Sequence, residues 1–248
     1  MAYDFDGTND RITFTALASQ STDIATITIA AWVYPDATGQ FIRYYEIGTS
    51  GGGNATRMRD EMDDGWGWVW VAPFTTTGGK WSTAKPATGA WIHRCITYDF
   101  GATTNDPLIY NNGVSQSITE RATPVGTGGI PNTAGAIAST IAGGQYWNGR
   151  IAEFAIWNRI LTADEVSALG ADNFSPLFFP IGLVLYIPLI RELVELSGGV
   201  ALTNTESVAI AHPRIIYPSP AQIRRFGAAA APEAAALNAY KTLLGVGR

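Results

Sequence analysis

The sequence predicts an all-β protein of the sandwich or jelly-roll type, and three observations point to it. Charged residues make up only 15% of the 248-residue chain, which holds 27 glycines and 13 prolines. Threonine, valine, isoleucine, tryptophan and tyrosine are abundant, and these residue types suit a pleated, half-buried surface. Short stretches of apolar and polar residues alternate with a period of two, separated by loops rich in Gly, Thr, Asn and Pro. A hydrophobic content of 46% supports one large domain, or one domain with an appendage.

The elements follow in chain order. Residues 25–33 read ATITIAAWV, a strand with Ile27, Ile29 and Ala31 on one face. Residues 66–71 read WGWVWV, which puts Trp66, Trp68 and Trp70 on one face and Val69 and Val71 on the other. Residues 91–98 (WIHRCITY) and 150–157 (RIAEFAIW) read as further strands. Residues 108–110 and 114–118 flank Asn111-Asn112-Gly113, a hairpin signal because Asn and Gly tolerate positive φ. A short helix is predicted over 162–169. Thr162-Ala163-Asp164-Glu165 is a capping box, Val166 and Leu169 face the core, and Gly170 provides a stop. Residues 1–172 thus form the main body, and 173–217 supply two or three additional strands that complete or flank it. Residues 218–248 form a basic, partly helical tail, in which Pro232 opens a helix with Leu237, Tyr240 and Leu244 as its apolar stripe.

The net charge of −5 gives no case for a nucleic-acid partner. The charge is uneven. Residues 213–248 carry Arg214, Arg224, Arg225, Lys241 and Arg248 against Glu233, a net of +4, which leaves −9 for the remainder. Cys95 is the only cysteine, so no internal disulfide forms. The start MAYDFDG is acidic and enters a strand pattern at once, so no Sec signal is expected. Residues 174–190, FSPLFFPIGLVLYIPLI, are almost wholly apolar but are broken by Pro176, Pro180 and Pro188. Buried strands, such as 182–187, are expected there rather than a membrane span.

The succession YDFDGTNDRITF, TITIAAWVYP, WIHRCITYDF, LIYNNGV and IAGGQYWNGRIAEFAIWNRILTADEVSAL resembles the laminin-G-like, concanavalin-A-like jelly-roll family from residue 3 to about 170. The resemblance implies two antiparallel sheets packed face to face, one convex and one concave, with residues 157–161 leading from the last strand into the capped helix. It does not imply one function, because the fold hosts lectins, glycosidases, adhesion domains and virion proteins. The family often carries Ile-Asp-Glu where this chain has Ile151-Ala152-Glu153, and the lost carboxylate weakens a metal or acid role there. The C-terminal stretch VLYIPLIRELVELSGGVALTNTESVAIAHPRIIYPSP resembles the tails of laminin-G-like proteins encoded by tailed phages and prophages. That implies a virion component made in the host cytoplasm.

Four groups of residues are candidates for chemistry. Asp6, Asn9 and Asp10 lie in YDFDGTNDRITF, where Gly, Thr, Asn and Asp suffice to make a hairpin turn. They also offer oxygens to a hard cation, so calcium stays open, without the spacing of a dedicated calcium loop; no other cofactor is expected. Residues 60–64, DEMDD, read as a solvated acidic loop. Glu61 and Asp63 match two positions of the ExDxxE pattern of jelly-roll glucanases, but Trp66 occupies the third. Retaining hydrolysis needs a nucleophile and an acid about 5–5.5 Å apart, so no catalytic residue is assigned. Trp66, Trp68 and Trp70 either stack on sugar rings or fill the core. His93 and Cys95 share a strand face, and burial is favoured over a nucleophilic pair.

The sequence therefore points to a non-enzymatic phage virion protein, a capsid decoration or cement protein present in many copies. It docks on a capsid or other virion protein through Arg214, Arg224, Arg225, Leu237, Tyr240 and Leu244. The alternative is a carbohydrate-binding adhesin, a head fibre or tail receptor-binding protein, that takes a host surface glycan on the tryptophan face. A jelly-roll glycosidase stands third.

Overall fold

The computed structural model describes residues 2–17, 23–39, 41–49, 56–63, 65–130, 132–190, 193–197, 199–211 and 214–219. Their strands form two antiparallel sheets packed face to face, as a jelly-roll sandwich requires. The first sheet runs in the order β10 (Val114–Ser115), β9 (Leu108–Asn111), β8 (Ile92–Asp99), β3 (Thr26–Pro35), β13 (Asn148–Trp157), β1 (Ala2–Asp6), β16 (Val208–Ile210). The second runs β11 (Thr119–Ala122), β7 (Gly79–Thr83), β6 (Gly67–Ala72), β5 (Arg57–Asp63), β4 (Ile42–Gly48), β12 (Gly135–Ile137), β2 (Arg11–Phe14), β15 (Leu202–Thr205).

Alternation places the core between the sheets. Ile27, Ile29, Ala31 and Val33 of β3 and Ile96 and Tyr98 of β8 meet Tyr44 and Tyr45 of β4, Trp68 and Trp70 of β6 and Trp81 of β7. Aromatic rings at 4.8–6.3 Å tie this layer together, with Trp70, Trp81 and Tyr98 in mutual contact. Burying one such side chain removes about 150–250 Å² from water, an upper estimate of roughly 4–6 kcal/mol of transfer free energy.

The opening stretch is not a hairpin. β1 pairs with β13 and β16 in the first sheet, whereas β2 pairs with β12 and β15 in the second. Residues 7–10 therefore turn a corner from one sheet to the other. The turn chemistry read from the sequence is present: Asp6 Oδ1 accepts from Thr8 N at 2.7 Å, and Asp10 Oδ2 accepts from Asp6 N at 3.0 Å. A second corner, between β15 and β16, runs beside it. Asn9 Nδ2 donates to Glu206 Oε2 at 2.7 Å and joins the two corners.

A third layer covers the outside of the first sheet. It includes α1 (Ala163–Gly170), the one α-helix among the described residues, capped as expected. Thr162 Oγ1 accepts from Glu165 N at 3.3 Å and Glu165 Oε2 accepts from Thr162 N at 2.8 Å. Gly170 is not the stop. It is the last helical residue, with Ala171 as the C-cap, and a Cβ there would come within 2.7 Å of His93 Nδ1. Its bareness lets α1 sit close on β8. β14 (Leu183–Ile187) is the eighth strand of the first sheet itself, paired with the second half of β13 at a bulge between Ala152 and Ala155. No helix among the described residues is long and apolar enough to cross a membrane. In the C-terminal stretch, Ile216 bonds reciprocally with Asn173 and Ser175 at 2.8 Å, so residues 214–217 are strapped to this layer.

Candidate functional site

The stretch read as a solvated acidic loop is the interior strand β5. Its period of two sends Met58, Asp60 and Met62 inward and Arg57, Arg59, Glu61 and Asp63 outward. Charge on both faces concealed the strand. The inward Asp60 is fully buried and meets the fully buried Arg94 of β8 from the opposite sheet. Arg94 donates Nε to Oδ2 at 2.8 Å and Nη2 to Oδ1 at 3.2 Å, and Tyr44 Oη donates to Oδ2 at 3.0 Å. Arg94 Nη1 donates to Thr83 Oγ1 at 3.0 Å, and the guanidinium lies 4.0 Å from the Trp68 ring centroid.

The outward face carries an ion lattice. Register places Arg43 opposite Glu61 and Glu46 opposite Arg59. Glu61 Oε2 is held by Arg43 Nε and by Arg59 Nε, each at 2.9 Å, and Arg43 also pairs with Glu46. All four side chains are buried. Glu61 thus lies between two guanidiniums as their shared charge partner. Arg59 Nη1 is buried with no hydrogen-bond partner.

At the edge of this lattice stands Trp66, 39% exposed. The sequence placed it on the same face as Trp68 and Trp70, but the structure separates them. Trp68 and Trp70 are fully buried in the core, where Trp70 Nε1 donates to Tyr45 Oη at 2.9 Å. The alternation breaks at Gly67, whose φ of +91° takes the chain out of the extended region. A Cβ there would lie 2.4 Å from Thr83 O, so no other residue fits. The ring of Trp66 therefore meets cations of the outward face: Lys80 Nζ lies 5.6 Å from its centroid and Arg121 Cζ 5.7 Å. Arg121 Nε donates to Ser82 Oγ at 2.8 Å. Burial, and then the neighbouring Arg59, push the Lys80 pKa down. Lys80 and Arg121 escaped sequence reading because their strands are distant in sequence; the alternation of charge at 57, 59, 61 and 63 was the available signal.

The other candidates lie apart. Asp6 and Asp10 serve the corner and Asn9 reaches Glu206; among the described residues no cluster of three or more His, Cys, Asp or Glu is placed to hold a metal. His93 and Cys95 are buried on the outer side of the first sheet, with α1 packed on their strand. Burial lowers the His93 pKa to about 3 and pushes the Cys95 thiol up, so the imidazole stays neutral and the sulfur protonated. Arg214 is exposed at the start of the strap. Arg224, Arg225, Leu237, Tyr240 and Leu244 lie outside the described residues.

One buried acid was singled out only for its neighbour. Glu153 sits in the bulge of β13 with φ +55° and is 3% exposed. Tyr186 Oη donates to its Oε2 and Tyr217 Oη to its Oε1, each at 2.6 Å. Burial raises its pKa to about 7.

A family model for the concanavalin A-like lectin/glucanases superfamily, of the laminin-G type, matches residues 6–167. The chain belongs to this superfamily. No curated protein matches it in sequence. Among solved structures, a Bacteroides ovatus protein described as a proposed carbohydrate binder aligns at 20% identity with a TM-score of 0.56, over 85% of this chain and 61% of the other. This chain thus spans about three fifths of that protein's length. The native heptameric SAP-like pentraxin of Limulus polyphemus aligns at 18% identity with a TM-score of 0.53, over 83% and 95% of the two chains. At such identities the likeness is one of fold.

Proposed function

We propose that the protein is a non-enzymatic glycan-recognition module that binds through the outward face of the second sheet at Trp66. One observation carries the reading. Trp66 is a large aromatic ring held at the surface by the Gly67 turn, beside charged hydrogen-bonding side chains, while its sequence neighbours Trp68 and Trp70 fill the core. An exposed ring with polar groups at its margin suits the apolar face and hydroxyl rim of a sugar. The superfamily and the fold of the Bacteroides ovatus protein support the reading. Glu61, locked between Arg43 and Arg59, supports the absence of hydrolysis. A glycan array tests it: wild-type protein binds a defined set of glycans, and Trp66→Ala loses them with unchanged melting temperature. A Trp66→Ala variant that binds the array like wild type refutes the assignment.

A second reading concerns where the module works. The phage-like C-terminal sequence and the net +4 of residues 213–248 support a multi-copy virion surface protein, a capsid decoration or head-fibre component anchored by its tail. Residues 214–217, at the start of this segment, are strapped to the outside of the first sheet. Co-sedimentation with undecorated particles tests it. A protein lacking 220–248 that sediments as fully as the intact chain refutes the tail as anchor.

A further inference from the structure

We infer that the ligand of the Trp66 corner is an acidic saccharide, one bearing a carboxylate or sulfate group, with Lys80 and Arg121 as its anion site and the buried Arg59 charge behind them. This deepens the glycan reading of the same corner and rests on it.

The body of the protein is acidic, yet this corner is not. Neither Lys80 nor Arg121 has a carboxylate within ion-pair distance among the described residues. The nearest acids are committed elsewhere. Glu61 is shared by Arg43 and Arg59, and Asp63 Oδ1 accepts from Gly65 N at 2.7 Å within the turn. Both cations instead face the π-system of Trp66, and Arg121 spends Nε on Ser82. Register sets the third cation beside them. Val71 of β6 pairs with Arg59 on one side and with Lys80 on the other, so Arg59 and Lys80 occupy one cross-strand row of the outward face. Arg59 Nη1 ends there buried and without an acceptor.

An anion at Lys80 and Arg121 gains charge-assisted hydrogen bonds, and the buried Arg59 charge in the same cross-strand row adds to the attraction. A neutral sugar offers only neutral acceptors, which gain less from the same cations. The aromatic ring beside the cations selects an anion that also presents a flat apolar face, which distinguishes an acidic sugar ring from a free inorganic anion. Electrostatic steering by the cations raises the association rate, and salt weakens it.

The test is calorimetry of the full chain against neutral oligosaccharides, oligogalacturonates and sulfated oligosaccharides of matched length, in low and high salt. One acidic class should bind at least about tenfold more tightly than the neutral one, as expected for one or more added charge-assisted bonds. Which acidic arm binds identifies the group as carboxylate or sulfate. Lys80→Gln and Arg121→Gln should each lower acidic-glycan affinity about tenfold and leave the melting temperature unchanged, since Arg121 is exposed and Lys80 half-buried. Arg121→Glu should abolish acidic binding. If neutral and acidic glycans bind alike, or if the charge variants bind like wild type, the acidic assignment is overturned while the glycan reading stands. If no glycan of any class binds, both fall.

Discussion

Arg94 and Asp60 form a fully buried ion pair that bridges the two sheets, and its removal is the sharpest test of the sandwich core. The carboxylate accepts two bonds from Arg94 and one from Tyr44. Arg94→Met removes two of the three and leaves Asp60 facing Trp68 and the apolar layer. Breaking a buried pair from one side costs about 3–5 kcal/mol, because the remaining charge stays desolvated. For a chain of this size each kcal/mol moves the melting temperature by roughly 2–4 °C, so Arg94→Met should melt some 6–20 °C lower.

The double variant Arg94→Met with Asp60→Leu decides what the pair does. Apolar replacement of both partners is often neutral, so the double variant should recover most of the loss, a coupling of at least about 2 kcal/mol. The assay is a double-mutant cycle by chemical denaturation, with equal slopes required across the four proteins. Single variants that each cost under about 1 kcal/mol, or a double variant no better than the singles, would refute the reasoning.

The remaining predictions concern separate regions. Gly7→Val should destabilise by more than about 1 kcal/mol, since Gly7 has φ +78° and a Cβ would lie 2.9 Å from Asn148 Cβ; a thermal melt unchanged from wild type would contradict this. Trp68→Ala should cost about 3–5 kcal/mol, measured by denaturant titration, whereas Trp66→Ala should fall near zero. For Glu153, burial raises the folded pKa from 4.5 to about 7. The raised value favours the protonated fold: the stabilisation is complete below pH 4.5 and disappears as pH climbs towards 7, a change of up to about 3 kcal/mol at 1.36 per unit. Glu153→Gln should flatten that stretch of the stability–pH curve, and a variant with the wild-type slope would assign the slope elsewhere.

The fold was legible in the sequence because alternation is a property of the chain itself. β3, β8 and β13 declare their inward faces, and the Thr162–Glu165 box declares the start of α1. What failed had to be decided by partners distant in sequence. Residues 3–14 contain a turn, but nothing local says that β1 and β2 join different sheets; that depends on pairing with β13 and β12. Residues 60–64 read as solvated because Asp60 is charged, and its burial makes sense only with Arg94 across the core. Trp66 read as a neighbour of Trp68 because strand period assumes an unbroken backbone, and one positive φ at Gly67 reverses the face.

The same Gly67 explains why recognition is assigned to one sheet and not the other. A sandwich has two outer faces; described elements cover the first sheet's, while on the second sheet the outward Arg43, Glu46, Arg59, Glu61, Val69 and Val71 are buried and Trp66 is 39% exposed at the edge. α1, the turn at Pro176–Phe178 and the strap at 214–217 cover the first sheet and bury Cys95 of β8, Trp157 of β13 and Tyr186 of β14 beneath them. Closing that face also buries Glu153, whose two tyrosine donors come from β14 and the strap. On the second sheet the outward row is built from charged side chains that pair with one another at Arg43, Glu46, Arg59 and Glu61, whereas Lys80 and Arg121 have no ion-pair partner among the described residues. A single exposed apolar side chain is ordinary on a protein surface; what marks Trp66 is that its ring lies beside two cations. Gly67 turns Trp66 outward beside Lys80 and Arg121, so the positive-φ glycine, the exposed ring and two cations without an ion-pair partner among the described residues coincide at one corner. That coincidence makes the corner, rather than either sheet as a whole, the place to seek a partner.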